Sequence, residues 1–168
     1  DRGWFAVNSV MRSAGLRPLT ENLDVPDDAY ADGASTLKTI ELLNEFDRDN
    51  KNFFLTVGFQ KPHLPFTPPK TYWDLYQRDD IKLAEFQSKS IGSPQEAYHQ
   101  SGELRNYHDT EPSMDENGIV NEAKQRELIH GYIASVSFID AQVGMILHHL
   151  ESTGLDENTV VVFFGDHG

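Results

Sequence analysis

The chain has 168 residues, room for one domain of ordinary size, and carries 14 Lys and Arg against 27 Asp and Glu, a formal charge of −13. So acidic a chain lacks the basic surface that nonspecific binding to nucleic acid or an anionic membrane needs, although a local cation can still reverse the sign inside a pocket. There is no cysteine, which excludes disulfides, cysteine–zinc sites and thiol nucleophiles over this stretch, and no run approaches the roughly 18 apolar residues of a membrane span.

Residues 1–34 read as irregular, punctuated by Gly15, Pro18, Pro26 and Gly33. The spacing of Leu37, Ile40, Leu43 and Phe46 predicts a helix over 35–47, capped by Ser35 or Thr36. After the polar turn 47–52, the run FFLTVGF (53–59) predicts a strand buried on both faces, which favours a parallel sheet. Pro62, Pro65, Pro68 and Pro69 then forbid a regular helix or central strand, and YWDLY (72–76) allows a short helical turn. Residues 77–120 form a long polar excursion with weak periodicity, of the kind that is functional or an insertion.

The strongest signal is a helix over 121–152. Leu128, Tyr132, Val136, Ile139, Val143, Ile146, Leu147 and Leu150 make one apolar stripe, and Gly154 supplies a stop. Gly131 and Gly144 inside it suggest close packing against a sheet. A last strand follows at 159–164 and runs into Gly165, Asp166, His167 and Gly168. The order helix, strand, excursion, helix, strand predicts an α/β fold with a mostly parallel sheet flanked by helices.

Both predicted strands end in polar clusters, and in open α/β sheets ligands sit beyond the carboxyl ends of the strands. The first cluster carries Lys61 and His63 on either side of Pro62; it can present a cation and an imidazole to an anion, or be an ordinary exposed loop. The second carries Asp166 and His167, which suit half the shell of a divalent metal, zinc or manganese by their oxygen–nitrogen mix, or form a plain turn or helix cap. His99 and His108 in the excursion read as solvated, His130 as a packing or surface residue, and His148 and His149 as cations favoured in a last helical turn.

The strings VPDDAYADG (25–33), FFLTVGFQKPHLPFTPPKTYWDLY (53–76), IKLA (81–84) and YIASVSFIDAQVGMILHHLESTGLDENTVVVFFGDHG (132–168) together resemble the sulfatase family of the alkaline-phosphatase-like superfamily, and within it the iduronate-2-sulfatase group and its bacterial relatives. KPHLPF and SVSFIDAQVG are specific in combination. The resemblance implies a partial alkaline-phosphatase-like sheet and a sulfuric ester hydrolase acting on a sulfated carbohydrate. It implies a formylglycine made from an upstream Cys or Ser as nucleophile, and one calcium ion. Asp166 and His167 match two of its protein ligands. His63 matches the histidine that contacts the sulfate or the leaving oxygen, and Lys61 matches the lysine of the same motif as a substrate-binding residue.

The family's upstream Asp-Asp metal pair, its Cys-x-Pro-Ser-Arg motif with the following Lys and His, and the lysine downstream of the second cluster do not occur here. Residues 1–168 are therefore expected to be one partial segment of a sulfatase catalytic domain, completed by the rest of its polypeptide. Such an enzyme is expected to be exported to a periplasm, the extracellular space or a lysosome. A phosphoryl hydrolase with a different upstream nucleophile, or a noncatalytic relative, is the alternative. The excursion from Arg78 to Gly118, with Tyr98, His99, Arg105, Tyr107 and His108, is the candidate for substrate choice or else a variable surface insertion. Purified residues 1–168 are expected not to turn over an aryl sulfate or a sulfated disaccharide; metal-dependent release of sulfate would overturn the reading as an internal piece.

Overall fold

The computed structural model describes residues 18–98, 101–110, 113–114 and 119–166. Three α-helices organise them: α1 (Ala31–Arg48), the short α2 (Lys70–Trp73) and the long α3 (Glu122–Thr153). Single 3₁₀ turns occur at Asp27–Ala29, Arg78–Asp80, Gln95–Ala97, Leu104–Asn106 and Leu155–Asn158.

Helix α1 starts one turn before the expected cap. Its first turn carries Asp32, an acid at the end where the helix dipole favours one, and Tyr30 occupies the cap without a side-chain hydrogen bond. Thr36 is not a cap: its hydroxyl donates back to the Asp32 carbonyl at 3.2 Å. The buried face is also not the expected one. Asp32, Gly33, Thr36, Thr39 and Leu43 face inward, while Leu37 is half exposed. The inward face is set by what it meets, the 3₁₀ turn at Asp27–Ala29 and helix α3, so small and polar groups that allow close approach replace the apolar stripe. Gly33 shows how close: a Cβ there would lie 2.1 Å from the Asp27 carbonyl oxygen.

After the turn at 47–52, residues 53–59 run back along α1. Phe53, Leu55, Val57 and Phe59 are half-buried while Phe54, Thr56 and Gly58 are exposed, the period-two alternation of an extended chain with one face covered. The covering element is α1. Phe46 stacks on Phe53 with ring centroids 5.3 Å apart at one end, and Asp32 accepts hydrogen bonds from Gln60 and Lys61 at the other. The lengths agree: Asp32 to Phe46 rises about 21 Å along a helix, and Phe53 to Gln60 spans about 23 Å extended.

No strand is assigned among the described residues. The only bridges there are isolated ones, Thr20 with Phe66 and Met114 with Val120. Residues 53–59 and 160–165 make no backbone hydrogen bond within the described residues, and Phe54, Val160, Val162, Phe163 and Phe164 are largely exposed, Phe54 at 93%. A parallel strand satisfies its amides only through neighbours on either side, so an extended run without them has the shape of a strand and none of its pairing.

Helix α3 matches its expected ends. The Asn121 side chain accepts from the Lys124 amide at 2.9 Å, and Gly154 closes the helix at φ 74°, where a side chain would be strained. Its inner face is shifted from the expected stripe, of which Leu150 is buried and Leu128, Ile139, Val143 and Ile146 are half-buried. His130, Gly131, Ala134, Ser135, Phe138 and Gln142 are buried, whereas Tyr132, Val136 and Leu147 of the apolar stripe are close to half exposed. The inner face meets α2 and the Pro-rich segment: Phe138 packs on Tyr72 at 5.1 Å, and Phe66 meets Tyr132 edge-on at 5.8 Å. By length and composition α3 could cross a membrane. The fully buried Ser135 and Gln142 fit a core helix, with Gln142 Nε2 donating to Asp27 Oδ2 at 2.6 Å.

The buried His130 is a packing residue. Its Nε2 donates to the Trp73 carbonyl at 2.8 Å, and its Nδ1 accepts from Arg78 Nε at 3.4 Å. The excursion is tied down by Asp109, whose carboxylate accepts from the Leu19 amide and from Lys124 Nζ, both at 2.9 Å, while Lys124 also donates to Glu127 at 2.8 Å.

The two helix glycines differ. A Cβ on Gly131 would lie 2.7 Å from Phe66 Cβ and 2.8 Å from Trp73 Cη2, so its partner is this aromatic pair rather than a sheet. Gly144 is exposed with nothing within 4 Å of an added Cβ, so close packing does not explain it. Gly131→Ala is expected to cost about 1–3 kcal/mol through overpacking, and Gly144→Ala to gain up to about 1 kcal/mol of helix propensity. Thermal unfolding of the two variants checks both, and equal shifts would contradict the packing described.

Candidate active site

The first polar cluster is built by a reversal of the chain immediately after the extended run. The His63 amide donates to the Gln60 carbonyl at 3.0 Å, which turns the chain at Lys61 and Pro62. In an extended segment positions 61 and 63 would share a face. The turn separates them: Lys61 is buried at 6% exposure, and the His63 side chain is half exposed. The segment then rejoins the core through Phe66, whose amide donates to the Leu19 carbonyl at 2.8 Å while its carbonyl accepts from the Glu21 amide at 3.0 Å.

His63 has a defined orientation. Its Nδ1 lies 2.7 Å from the Leu64 carbonyl oxygen, which can only accept, so the proton sits on Nδ1 and Nε2 is the nitrogen turned outward. Nε2 lies 3.6 Å from Glu103 Oε2, a pair that becomes ionic when the ring is protonated. Glu103 precedes the 3₁₀ turn Leu104–Asn106, so the excursion reaches the candidate site here. Beside this contact an open cleft of about 460 Å³ is lined by Leu64, Phe66, Leu104, Leu128, Ile129 and Tyr132 among others.

Lys61 points the other way. Its Nζ lies 3.4 Å from the His63 carbonyl oxygen. Burial pushes the ammonium down from 10.5 to about 8, against the opposing pull of Asp32 and Glu21. Asp32 is buried at 3% exposure; its Oδ1 accepts from the Gln60 amide at 2.8 Å and its Oδ2 from the Lys61 amide at 3.1 Å. Glu21 accepts from the buried Tyr30 hydroxyl at 2.8 Å, and burial followed by the Glu21 charge pushes that phenol well above its ordinary range.

Asp166 is exposed, at the end of the 160–165 run. His167 lies outside the described residues, as does His99. Among the described residues no three His, Asp or Glu side chains cluster as a metal shell, so Asp166 offers a single hard oxygen ligand. Of the excursion candidates, Arg105 and His108 are exposed, Tyr107 is buried, and the Tyr98 hydroxyl accepts from the Ser90 amide at 2.7 Å within its own loop. Sequence reasoning missed Asp32 and Glu103. Asp32 becomes an acid in a first helical turn only because the helix begins at Ala31 rather than at 35, and Glu103 had no local signal.

The sulfatase family profile matches residues 2–168, and the chain belongs to that family. Membership carries the alkaline-phosphatase-like α/β fold. The chain is 36% identical to human iduronate 2-sulfatase over 148 residues, 87% of this chain and 27% of that protein. It is likewise 36% identical to the mouse iduronate 2-sulfatase over 147 residues, 86% of this chain and 27% of that protein. An arylsulfatase of Clostridium perfringens is 32% identical over 135 residues, 78% of this chain and 25% of that protein. The chain thus spans about a quarter of the length of these relatives.

The buried lysine has a pH signature. Between about 8 and 10.5 the unfolded chain binds a proton at Lys61 that the folded chain has released, so stability rises with pH across that window. Below about 8 both states carry the proton and the full burial cost remains. In Lys61→Met that rise is expected to flatten by on the order of 1–3 kcal/mol, read from urea unfolding at a series of pH values. A variant whose pH profile parallels the parent would place the ammonium in solvent instead.

Proposed function

We propose that the full-length protein is a sulfuric ester hydrolase that removes sulfate from a sulfated carbohydrate, an iduronate-2-sulfatase-like activity, with His63 as its general acid. The observation that carries the reading is the geometry of His63: Nδ1 is held by the Leu64 carbonyl, and Nε2, on a half-exposed ring 3.6 Å from the Glu103 carboxylate, is the nitrogen that can carry a proton to a ligand. A protonated Nε2 gives its proton to the leaving sugar oxygen as the S–O bond breaks, which matters most for poor leaving groups.

Apart from Asp166, the rest of the site falls to groups beyond the described residues. In this reading the nucleophile is a formylglycine from an upstream Cys or Ser, and Asp166 with His167 holds one side of a calcium ion, an oxygen ligand and a nitrogen ligand. The calcium, when bound, supplies neutralisation of the sulfate charge. The 53–59 and 160–165 runs are strands of a mostly parallel sheet that the remaining polypeptide pairs. Glycosaminoglycans or algal polysaccharides are the substrate class, met outside the cytoplasm in a periplasm, the surroundings or a lysosome. Glu103 beside His63 supports the excursion as the part that chooses among them. Neither a nucleic acid nor a membrane is a partner in this reading, in keeping with the charge of −13.

The test uses the full-length protein and aryl sulfates of graded leaving-group acidity. His63→Ala is expected to lower kcat by about 10²–10⁴-fold for poor leaving groups and much less for activated ones. A loss independent of the leaving group would assign His63 to sulfate binding. Turnover of aryl phosphates with none of sulfates would overturn the sulfatase reading.

A further inference from the structure

The buried Asp32 carboxylate is an unusual expense for a surface-domain helix. An ion this deep is tolerated only where donors replace its water, and it has two successive backbone amides, Gln60 at 2.8 Å and Lys61 at 3.1 Å. These are the residues that begin the turn presenting His63. The carboxylate itself is fixed by the first turn of α1, where Gly33 permits contact with Asp27 that no side chain would allow. A rigid helix end therefore holds the base of the turn. From inside the turn, the Lys61 ammonium points at the His63 carbonyl oxygen at 3.4 Å and lies in the field of Asp32 and Glu21.

We infer that Asp32 and Lys61 are positioning residues for His63, clamping the turn from its two sides, and that the Lys61 ammonium serves the protein interior rather than the substrate. This rests on the reading of His63 as the general acid. Without the clamp the Gln60 and Lys61 amides lose their acceptor, the turn has alternatives, and Nε2 is no longer held where a leaving oxygen can take its proton. A misplacement of the acid by about 1 Å is enough to lose much of its contribution. Substrate binding, which the clamp does not touch, stays as it was.

The experiment is a double-mutant cycle on the full-length enzyme with the same aryl sulfates. Asp32→Asn keeps the shape but turns an amide group toward one of the two N–H donors. It is expected to lower kcat about tenfold or more for poor leaving groups, with little loss for activated ones and KM within about twofold. Added to His63→Ala it should cost less than about twofold further, because the residue it positions is already gone. A loss equal across leaving groups, or losses that multiply in the double variant, would overturn the clamp while leaving the role of His63 standing. Full activity of His63→Ala would instead remove the general-acid reading and the clamp with it.

Lys61→Met supplies an independent arm should Asp32→Asn fail to fold. The clamp predicts lower kcat with KM unchanged and the same dependence on leaving group. A raised KM with unchanged kcat would show that the ammonium reaches the sulfate and would overturn the inference.

Discussion

The two hydrogen bonds from the Gln60 and Lys61 amides to Asp32 close a helix–extended-chain hairpin, and the remaining described architecture is arranged around that closure. A helix and an extended chain match in length only when the helix has about twice as many residues, and α1 with 53–60 meets that condition. Phe46 on Phe53 fixes the near end by stacking, a contact that tolerates sliding. Asp32 fixes the far end by hydrogen bonds, which do not. Register is therefore set at the end next to His63, where an error would matter chemically. Leaving the buried Lys61 amide without an acceptor would cost about 1–3 kcal/mol, so the closure is also a substantial share of the stability of a marginal domain.

Helix α3 shows which features of the fold are local and which are not. Its ends were legible because capping is a short-range matter: Asn121 and Gly154 act on the turns beside them. Its faces were not, because the inward side is chosen by partners distant in sequence. Phe66 and Trp73 demand Gly131, and Asp27 demands Gln142, so small and polar residues share the inner face with Phe138 and Leu150 while Val136 and Leu147 lie half exposed. The outward stripe and the uncovered side chains of Phe54 and of 160–164 share one explanation. In an α/β fold the sheet is covered on both faces and each crossover helix packs its apolar side on that sheet, and the described residues contain no paired sheet for them to meet.

The same division runs through the site. KPHLPF drew attention as a motif, and His63 sits at the surface with a defined outward nitrogen. The motif allowed both Lys61 and His63 to face an anion, and the turn sealed by the His63 amide and the Gln60 carbonyl instead buries Lys61 and leaves the His63 side chain half exposed. No pattern of residue types encodes that reversal. Asp32 fell in the stretch read as irregular, just ahead of the helix expected from residue 35, and its burial depends on a loop nearly thirty residues further on. Glu103 reaches His63 from an excursion without periodicity, so nothing local announced it.

These placements bear on how an anion can be accommodated by so acidic a chain. Asp32 and Glu21 are buried, with Asp32 bound by two amides and Glu21 by a phenol, and the Lys61 charge between them is turned away from solvent. The amides and the phenol solvate these carboxylates without cancelling their charge, and the single Lys61 ammonium offsets one of the two. A ligand at His63 also meets Glu103, 3.6 Å from Nε2 and half exposed. An anion beside that carboxylate needs more positive charge than one imidazole provides, and the buried Lys61 is not placed to add it. The KPH motif, read as a line of text, offers two cations to a ligand, and the fold turns one of them inward.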